Sequence, residues 1–333
     1  MIIDVFRDAL GGTSRRLLFT SGIPALIFSA VLLGSTLEAA TGTGARLDAA
    51  IVSWSDRPAS VQTVHVAGFV LVVTLITTML AAHRVTLLRW AEGYWPGRFG
   101  SWLAGRRAAR HERARGGLGT DVRSGSPSAY ERLYLRYPLP GEPVLPTRLG
   151  NLLRSAEDYP RTRYGIDAVL VWPRLFPLLP TSFTAGFASS RARLDAALAG
   201  TALSLVFAVA APLCTVVAGG SIWLAAAYLL AGVLSGLTGY RAALTAALAH
   251  GQQIRVAFDL YRGLLLDTVQ YGGRPPQPDP AAVDQRSPTA RGAFTSAAER
   301  EQWEGLCGFW YRNIPIDARV PAPVRTSPDQ HAS

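Results

Sequence analysis

The chain contains no lysine: all 33 of its basic residues are arginine, set against 23 acids for a net charge of +10. Absence of lysine from every loose surface position fits the codon bias of a GC-rich genome. It fits less well with selection for bidentate phosphate or carboxylate binding, where arginine outperforms lysine. Cysteine is scarce too: there are two, Cys214 and Cys307, too few for a disulfide framework. His65, His83, His111, His250 and His331 are scattered, and none stands three or four residues from another metal-binding His or Cys. No metal site and no cofactor is expected from that spacing. Glycine-rich phosphate loops, zinc-ligand pairs, the G-x-S-x-G turn and the kinase motif set are all missing, so no enzyme class is signalled.

Charge itself is missing from long stretches. Residues 196–240 run without one formal charge, as do 17–37 apart from nothing more polar than Ser and Thr, and 58–83 apart from two histidines. A helix needs about 20 apolar residues to cross a hydrocarbon core about 30 Å thick. The long run holds two such lengths. The expected fold is therefore all-α, with four membrane spans at 17–37, 63–83, 196–218 and 221–240, arranged as two hairpins. None of the four contains Asp, Glu or Arg, which disfavours ion-coupled transport, because transporters place such groups inside the bilayer. Thr74, Thr77 and Thr78 leave a hydroxyl-lined pore open as an alternative.

What charge there is sits mostly in one place. Residues 84–195 carry 18 Arg against nine acids, whereas the 38–62 connection is nearly neutral. Arg-rich loops stay on the cytoplasmic side, so residues 1–16, the 84–195 region and the C-terminal part are expected inside, in a bacterial inner membrane. A cleaved signal peptide competes for the first 40 residues. Asp4, Asp8 and an overlong apolar run favour a retained anchor.

Within the basic region, residues 84–115 interleave Arg84, Arg89, Arg98, Arg106 and Arg107 with Trp90, Trp95, Phe99 and Trp102. Directly after a span, that mixture suits interfacial helices. The expected membrane-interface residues are Arg84, Arg89, Trp90, Trp95 and Trp102, meeting anionic lipid headgroups; no nucleic acid is expected. Pro96–Gly97 should divide the segment in two. Residues 116–128, GGLGTDVRSGSPS, read as a flexible linker, and 129–195 as a helical cytoplasmic domain.

In that domain Thr147 is placed to cap a helix whose apolar face is Leu149, Leu152, Leu153 and Ala156, with Pro160 as its stop. Residues 166–179 are apolar but carry Asp167, Arg174 and two of the three prolines at 173, 177 and 180. They either pack inside the cytoplasmic domain or press into the inner leaflet. The stretch from Leu149-Gly150-Asn151 through Ala156-Glu157-Asp158 and Tyr164-Gly165-Ile166-Asp167 to Trp172-Pro173-Arg174-Leu175 resembles a motif of uncharacterised multi-spanning membrane proteins from GC-rich, actinobacterial-type bacteria. The resemblance covers the middle third of the chain. It implies architecture and assigns no activity. Asn151, Glu157, Asp158, Asp167 and Arg174 form the candidate polar cluster, with Asp167 expected to cap the next helix and to pair with Arg154 or Arg163.

Past the last span, Leu244, Leu248, Gly251, Ile254, Phe258, Tyr261, Leu265 and Val269 recur at steps of three and four, a helix over 241–271 with one apolar stripe. Gly232 and Gly236 form G-x-x-x-G, which packs either against the third span or against a second copy in a homo-oligomer. Residues 272–333 are too poor in apolar groups for a core and are expected to be mostly disordered. One short helix near 297–311, capped by Ser296 with Glu299, carries Trp303, Leu306, Cys307 and Trp310 on one face. It docks on the chain itself or binds a protein partner. The function expected is a non-enzymatic membrane protein with a structural, interaction or sensing role. An oligomeric channel and a membrane-surface enzyme built on the 147–175 cluster are the alternatives.

Overall fold

A computed structural model describes residues 18–41, 52–271 and 297–312, and every regular element among them is helical. The expectations for residues 1–16, for 42–51 of the 38–62 connection and for the tail on either side of its short helix fall outside the described residues.

A π-helical turn over Leu18–Gly22 leads into α1, Ile23–Thr41. The register changes beside Pro24, whose missing N–H cannot extend a regular ladder. Then come α2 (Ala59–Ala82), α3 (Arg84–Glu92), α4 (Gly97–Arg123), α5 (Pro127–Arg136), α6 (Arg148–Tyr164) and α7 (Ala168–Leu175). The two longest helices are α8, Thr181–Val217, and α9, Ile222–Tyr271; α10, Ala297–Arg312, closes the described chain. Among the described residues three helices are long and apolar enough to cross a membrane: α2, α8 and α9. The apolar part of the first helix, Thr20–Thr36, is shorter.

Helices α8 and α9 form an antiparallel hairpin that is the axis of the molecule. Its turn is a Schellman cap: Gly220 N–H donates to Thr215 O at 2.8 Å and Gly219 N–H to Val216 O, with Gly219 at φ +73°. The sequence reading places a boundary at residue 240, but α9 is one helix of 50 residues. At 1.5 Å per residue it is about 75 Å long. Arg241 changes the polarity of the helix but is no helix breaker, and no proline interrupts the ladder. Likewise α8 starts at Thr181, directly after its N-cap Pro180 and well before the expected span at 196, and it carries Pro212 within it.

Two further boundaries differ from expectation. Residues 116–128 are not a flexible linker: α4 continues through Gly116, Gly117 and Gly119 to Arg123, and only Ser124 and Gly125 turn before Ser126 caps α5. Glycine in a helix costs about 1 kcal/mol relative to alanine, a penalty tertiary anchoring can offset. Arg115 Nη1 supplies that anchor by donating to the carbonyls of Leu139 and Glu142, each at 2.9 Å. Pro160 does not stop α6 either. The helix runs on to Tyr164 and ends at Gly165, φ +74°, with Ile166 N–H closing on Pro160 O.

Two cores clamp the domain onto the hairpin. Leu149, Leu152 and Leu153 of α6 meet Leu194 and Leu198 of α8 and Ala243 and Ala247 of α9. Farther along, Ile166, Val171, Leu175 and Leu179 meet Ala257, Phe258 and Leu265 of α9, and Trp303 and Leu306 of α10 complete the cluster. The 166–179 segment thus packs one face, Ile166, Val171, Leu175 and Leu179, on the domain core and leaves its other face, with Val169, exposed, and the tail helix docks on its own chain.

Candidate functional site

The five residues of the expected polar cluster do not converge. Asn151 is fully buried on α6 and ties down the preceding loop, accepting from Leu145 N at 2.7 Å and donating to the carbonyls of Leu145 and Thr147. Asp158 lies 3.2 Å from Arg154, which also approaches Glu142; Arg161 reaches the same Glu142. Asp167 is exposed and caps α7 by accepting from Val169 N and Leu170 N at 3.0 and 3.2 Å. Neither Arg154 nor Arg163 pairs with it, because Arg154 is drawn to the acids on its own helix and loop. Arg174 packs its guanidinium over the Trp310 ring at 4.6 Å and so pins the tail helix. These are anchoring roles, spread over several faces of the domain.

Glu157 faces a cavity of about 480 Å³ that it shares with Glu92, Arg89, Tyr94 and Arg154. Burial, and then the Glu157 carboxylate opposite, raise Glu92 from its ordinary 4.5 to about 7. At the edge of the cavity α3 comes down on Gly150, where a Cβ would meet the Glu92 carbonyl.

The expected interface residues split by surroundings. Trp90 and Trp102 are exposed, as is Phe99, while Trp95 donates its indole N–H to Trp90 O at 2.9 Å. Arg107 and Arg106 stack on Trp95 and Trp102. Arg84 lines a separate cavity of about 420 Å³ with Ser21, Leu80, Phe187, Arg191 and Asp195, where α2, α3 and α8 meet. The glycines of G-x-x-x-G face α8: a Cβ on Gly232 would stand 2.6 Å from Ala208 Cα, and one on Gly236 3.3 Å from Leu205. On α2, the hydroxyls of Thr74, Thr77 and Thr78 bond to carbonyls of their own helix.

Two constellations escape the sequence reading. Ser190 and His250 meet between α8 and α9, Oγ to Nδ1 at 2.9 Å, with Gln253 Oε1 accepting from the same hydroxyl at 2.7 Å. A nucleophile beside a base needs a third group to orient the base and an open face for substrate. Both residues are buried and the third partner is an amide, so the trio works as a polar clamp between the helices.

The second lies on α9 and α6. Arg255, Asp259 and Arg262 occur at spacings of four and three, one ridge of the helix, and that spacing was the available signal. Asp259 Oδ1 accepts from Tyr159 Oη at 2.7 Å and from Tyr164 Oη. Arg262 stacks on Tyr164 at 4.1 Å and pairs with Glu299 of the tail helix at 2.9 Å. Arg255 is buried at 7% exposure; its Nη2 donates to Ser155 Oγ at 2.7 Å and to Tyr134 O. It also lies at the edge of an open cavity of about 560 Å³ walled by α5, α6 and the 137–140 loop. The Glu, Asp, His and Cys residues form no metal-binding cluster among the described residues.

No protein-family model matches the chain, and neither does any curated protein or solved structure.

Proposed function

We propose that this chain is a four-span protein of the bacterial inner membrane, with both termini cytoplasmic, whose Arg-rich helical domain is a non-enzymatic interaction or sensing module at the inner face. The observation that supports it best is α9, which leaves its charge-free stretch at Arg241 and continues without a break into both cores of the domain. A rigid helix shared by membrane and domain passes a displacement at one end to the other. The first helix supplies the fourth span: it packs against α8, and its apolar stretch Thr20–Thr36, which already takes in part of the π-helical turn, comes to 19 residues with Leu18 and Phe19, close to the length a span needs. The 18 Arg of the 84–195 region keep that region inside, and the exposed Trp90, Phe99 and Trp102 lie beside headgroups.

Reporter fusions test the topology. A fusion after Gly125 is expected to give a cytoplasmic signal and one inserted at Thr43 an exterior signal. An exterior signal at Gly125 would overturn the arrangement.

An assembly of several copies is the second reading, and it rests on α2, none of whose residues is buried within the protomer. Mass measurement in detergent separates a monomer with lipid around α2 from a ring of subunits.

A further inference from the structure

From the cavity between α5, α6 and α9 we infer a binding site for a small, planar aromatic carboxylate, held by Arg255. The cavity's walls are mainly rings and apolar groups: Tyr130, Tyr134, Tyr137 and Tyr159, with Pro138 and Leu139 from the loop. Its charged lining groups are Arg255 and Arg163, and no acid lines it. An aromatic cage without cations would suit an ammonium ligand. Two arginines without a carboxylate reverse that preference and select an anion.

Arg255 is the decisive residue. Ionised groups are seldom buried without an opposite charge, because desolvation costs several kcal/mol for an ion. Arg255 has no ion pair among the described residues, and its Nε is buried without a hydrogen-bond acceptor. The acid one turn along α9, Asp259, is held instead by the hydroxyls of Tyr159 and Tyr164. In contact with Arg255 are the serine hydroxyl, a peptide carbonyl and the rings of Tyr134 and Tyr159 at 5.0 and 5.7 Å, while the Asp259 carboxylate acts on it through space without an ion pair. A carboxylate in the cavity supplies the direct ion-pair partner that Arg255 lacks, meeting Nη1, since Nη2 is taken by Ser155 and Tyr134 and Nε is enclosed.

The site is built in advance of any ligand. Arg115 holds the wall loop through three carbonyls, Ser155 ties α6 to Tyr134 O at 3.0 Å, and Tyr130 and Tyr134 lie parallel within 5°. A flat ring slides against such a wall with little loss of side-chain entropy. The volume falls in the range of small-molecule sites, about 300 to 1,000 Å³. Arg255 stands 14 residues beyond Arg241 on α9, about 20 Å along the helix axis. That distance favours a water-soluble ligand over a lipid. Occupancy would stiffen the contact of α5 and α6 with α9, which gives the sensing role of the domain, where that reading holds, an input.

Equilibrium dialysis of the full chain in detergent, with tritiated phenylacetate and indole acetate as probes, tests the site independently of topology. At least one probe is expected to bind with a millimolar or lower Kd, while its primary amide does not compete. Arg255→Met should weaken binding by about tenfold or more. Leu139→Trp, which fills the cavity from the loop and leaves the Arg255 contacts alone, should abolish binding with an unchanged melting temperature. Failure of both probes at millimolar concentration overturns the inference. So does equal competition by the amide, or retained binding in Leu139→Trp.

Discussion

Gly232 of α9 and Ala208 of α8 stand so close that a Cβ on the glycine would fall 2.6 Å from the alanine Cα and 2.8 Å from its nitrogen. Both atoms belong to the facing helix backbone and cannot swing aside, so the hairpin spacing is set at this point. Four residues on, the atom nearest a Cβ of Gly236 is the end of the Leu205 side chain, which can rotate.

The two glycines should therefore respond unequally. Gly232→Ala is expected to destabilise the protein by about 1 to 3 kcal/mol, the usual range for overpacking, and Gly236→Ala by less than about 1 kcal/mol. Thermal unfolding in detergent gives the order, and an equal or reversed order would show that the hairpin is not spaced by Gly232.

Asp167 separates a cap from a reactive group. Its carboxylate accepts the N–H groups of Val169 and Leu170, the second and third residues of α7, so Asp167→Ala should cost about 0.5 to 2 kcal/mol and Asp167→Asn much less, since the amide oxygen caps nearly as well. Comparing the two melting temperatures checks this. A loss as large for Asn as for Ala contradicts the capping role.

Trp303 fixes the tail helix. The side chain is fully buried, yet its indole Nε1 has no hydrogen-bond partner. Truncation to alanine should cost about 3 to 5 kcal/mol and expose α10 to protease. Trp303→Phe removes the unsatisfied donor along with some contact area, so it should cost far less than the alanine. Limited proteolysis of the three proteins reads the result directly.

Glu92 predicts a pH dependence. Its value is raised in the fold, from 4.5 to about 7, so the folded state binds this proton more tightly than the unfolded state. The full benefit is present below 4.5 and is lost as pH rises through about 7. At higher pH the ionised group is a liability on the order of 1 kcal/mol after solvent screening. Glu92→Gln should then melt above the wild type at about pH 8, with the difference shrinking toward about pH 5. A constant difference across that range would show that burial beside Glu157 does not raise Glu92 in the fold.

Local signals were read well where local chemistry decides. Thr147 accepts from Gly150 N and caps α6, and the apolar face of Leu149, Leu152, Leu153 and Ala156 is the buried one. The face of Trp303 and Leu306 is likewise buried. Signals of interruption were read worst. Three glycines and an internal proline suggest breaks in α4 and α6, but each costs a few kcal/mol at most, and distant groups such as Arg115 offset it. The candidate site shows the same limit. Asn151, Asp158, Asp167 and Arg174 attract notice because charged or amide groups stand in an apolar setting, yet each has an anchoring contact, although Asp158 keeps Oδ2 buried without a hydrogen bond. Arg255 drew no notice, since its surroundings, Tyr134 and Ser155, lie 121 and 100 residues away in sequence.

By itself the sequence determined an all-helical chain with long charge-free stretches, a single basic region and the apolar stripe of α9, because helical periodicity and charge distribution are properties of neighbouring residues. Only the tertiary structure decided that Gly232 faces α8 within the same chain. It also decided that the tail helix closes the second core, and that Arg255 is buried at the edge of a cavity lined by no acid. That the last apolar stretch and the amphipathic helix are one rod follows from the absence of a helix breaker after Arg241, but the other three depend on which surfaces meet across some 25 to 140 residues of chain, a choice made by the packing of side chains from several helices at once.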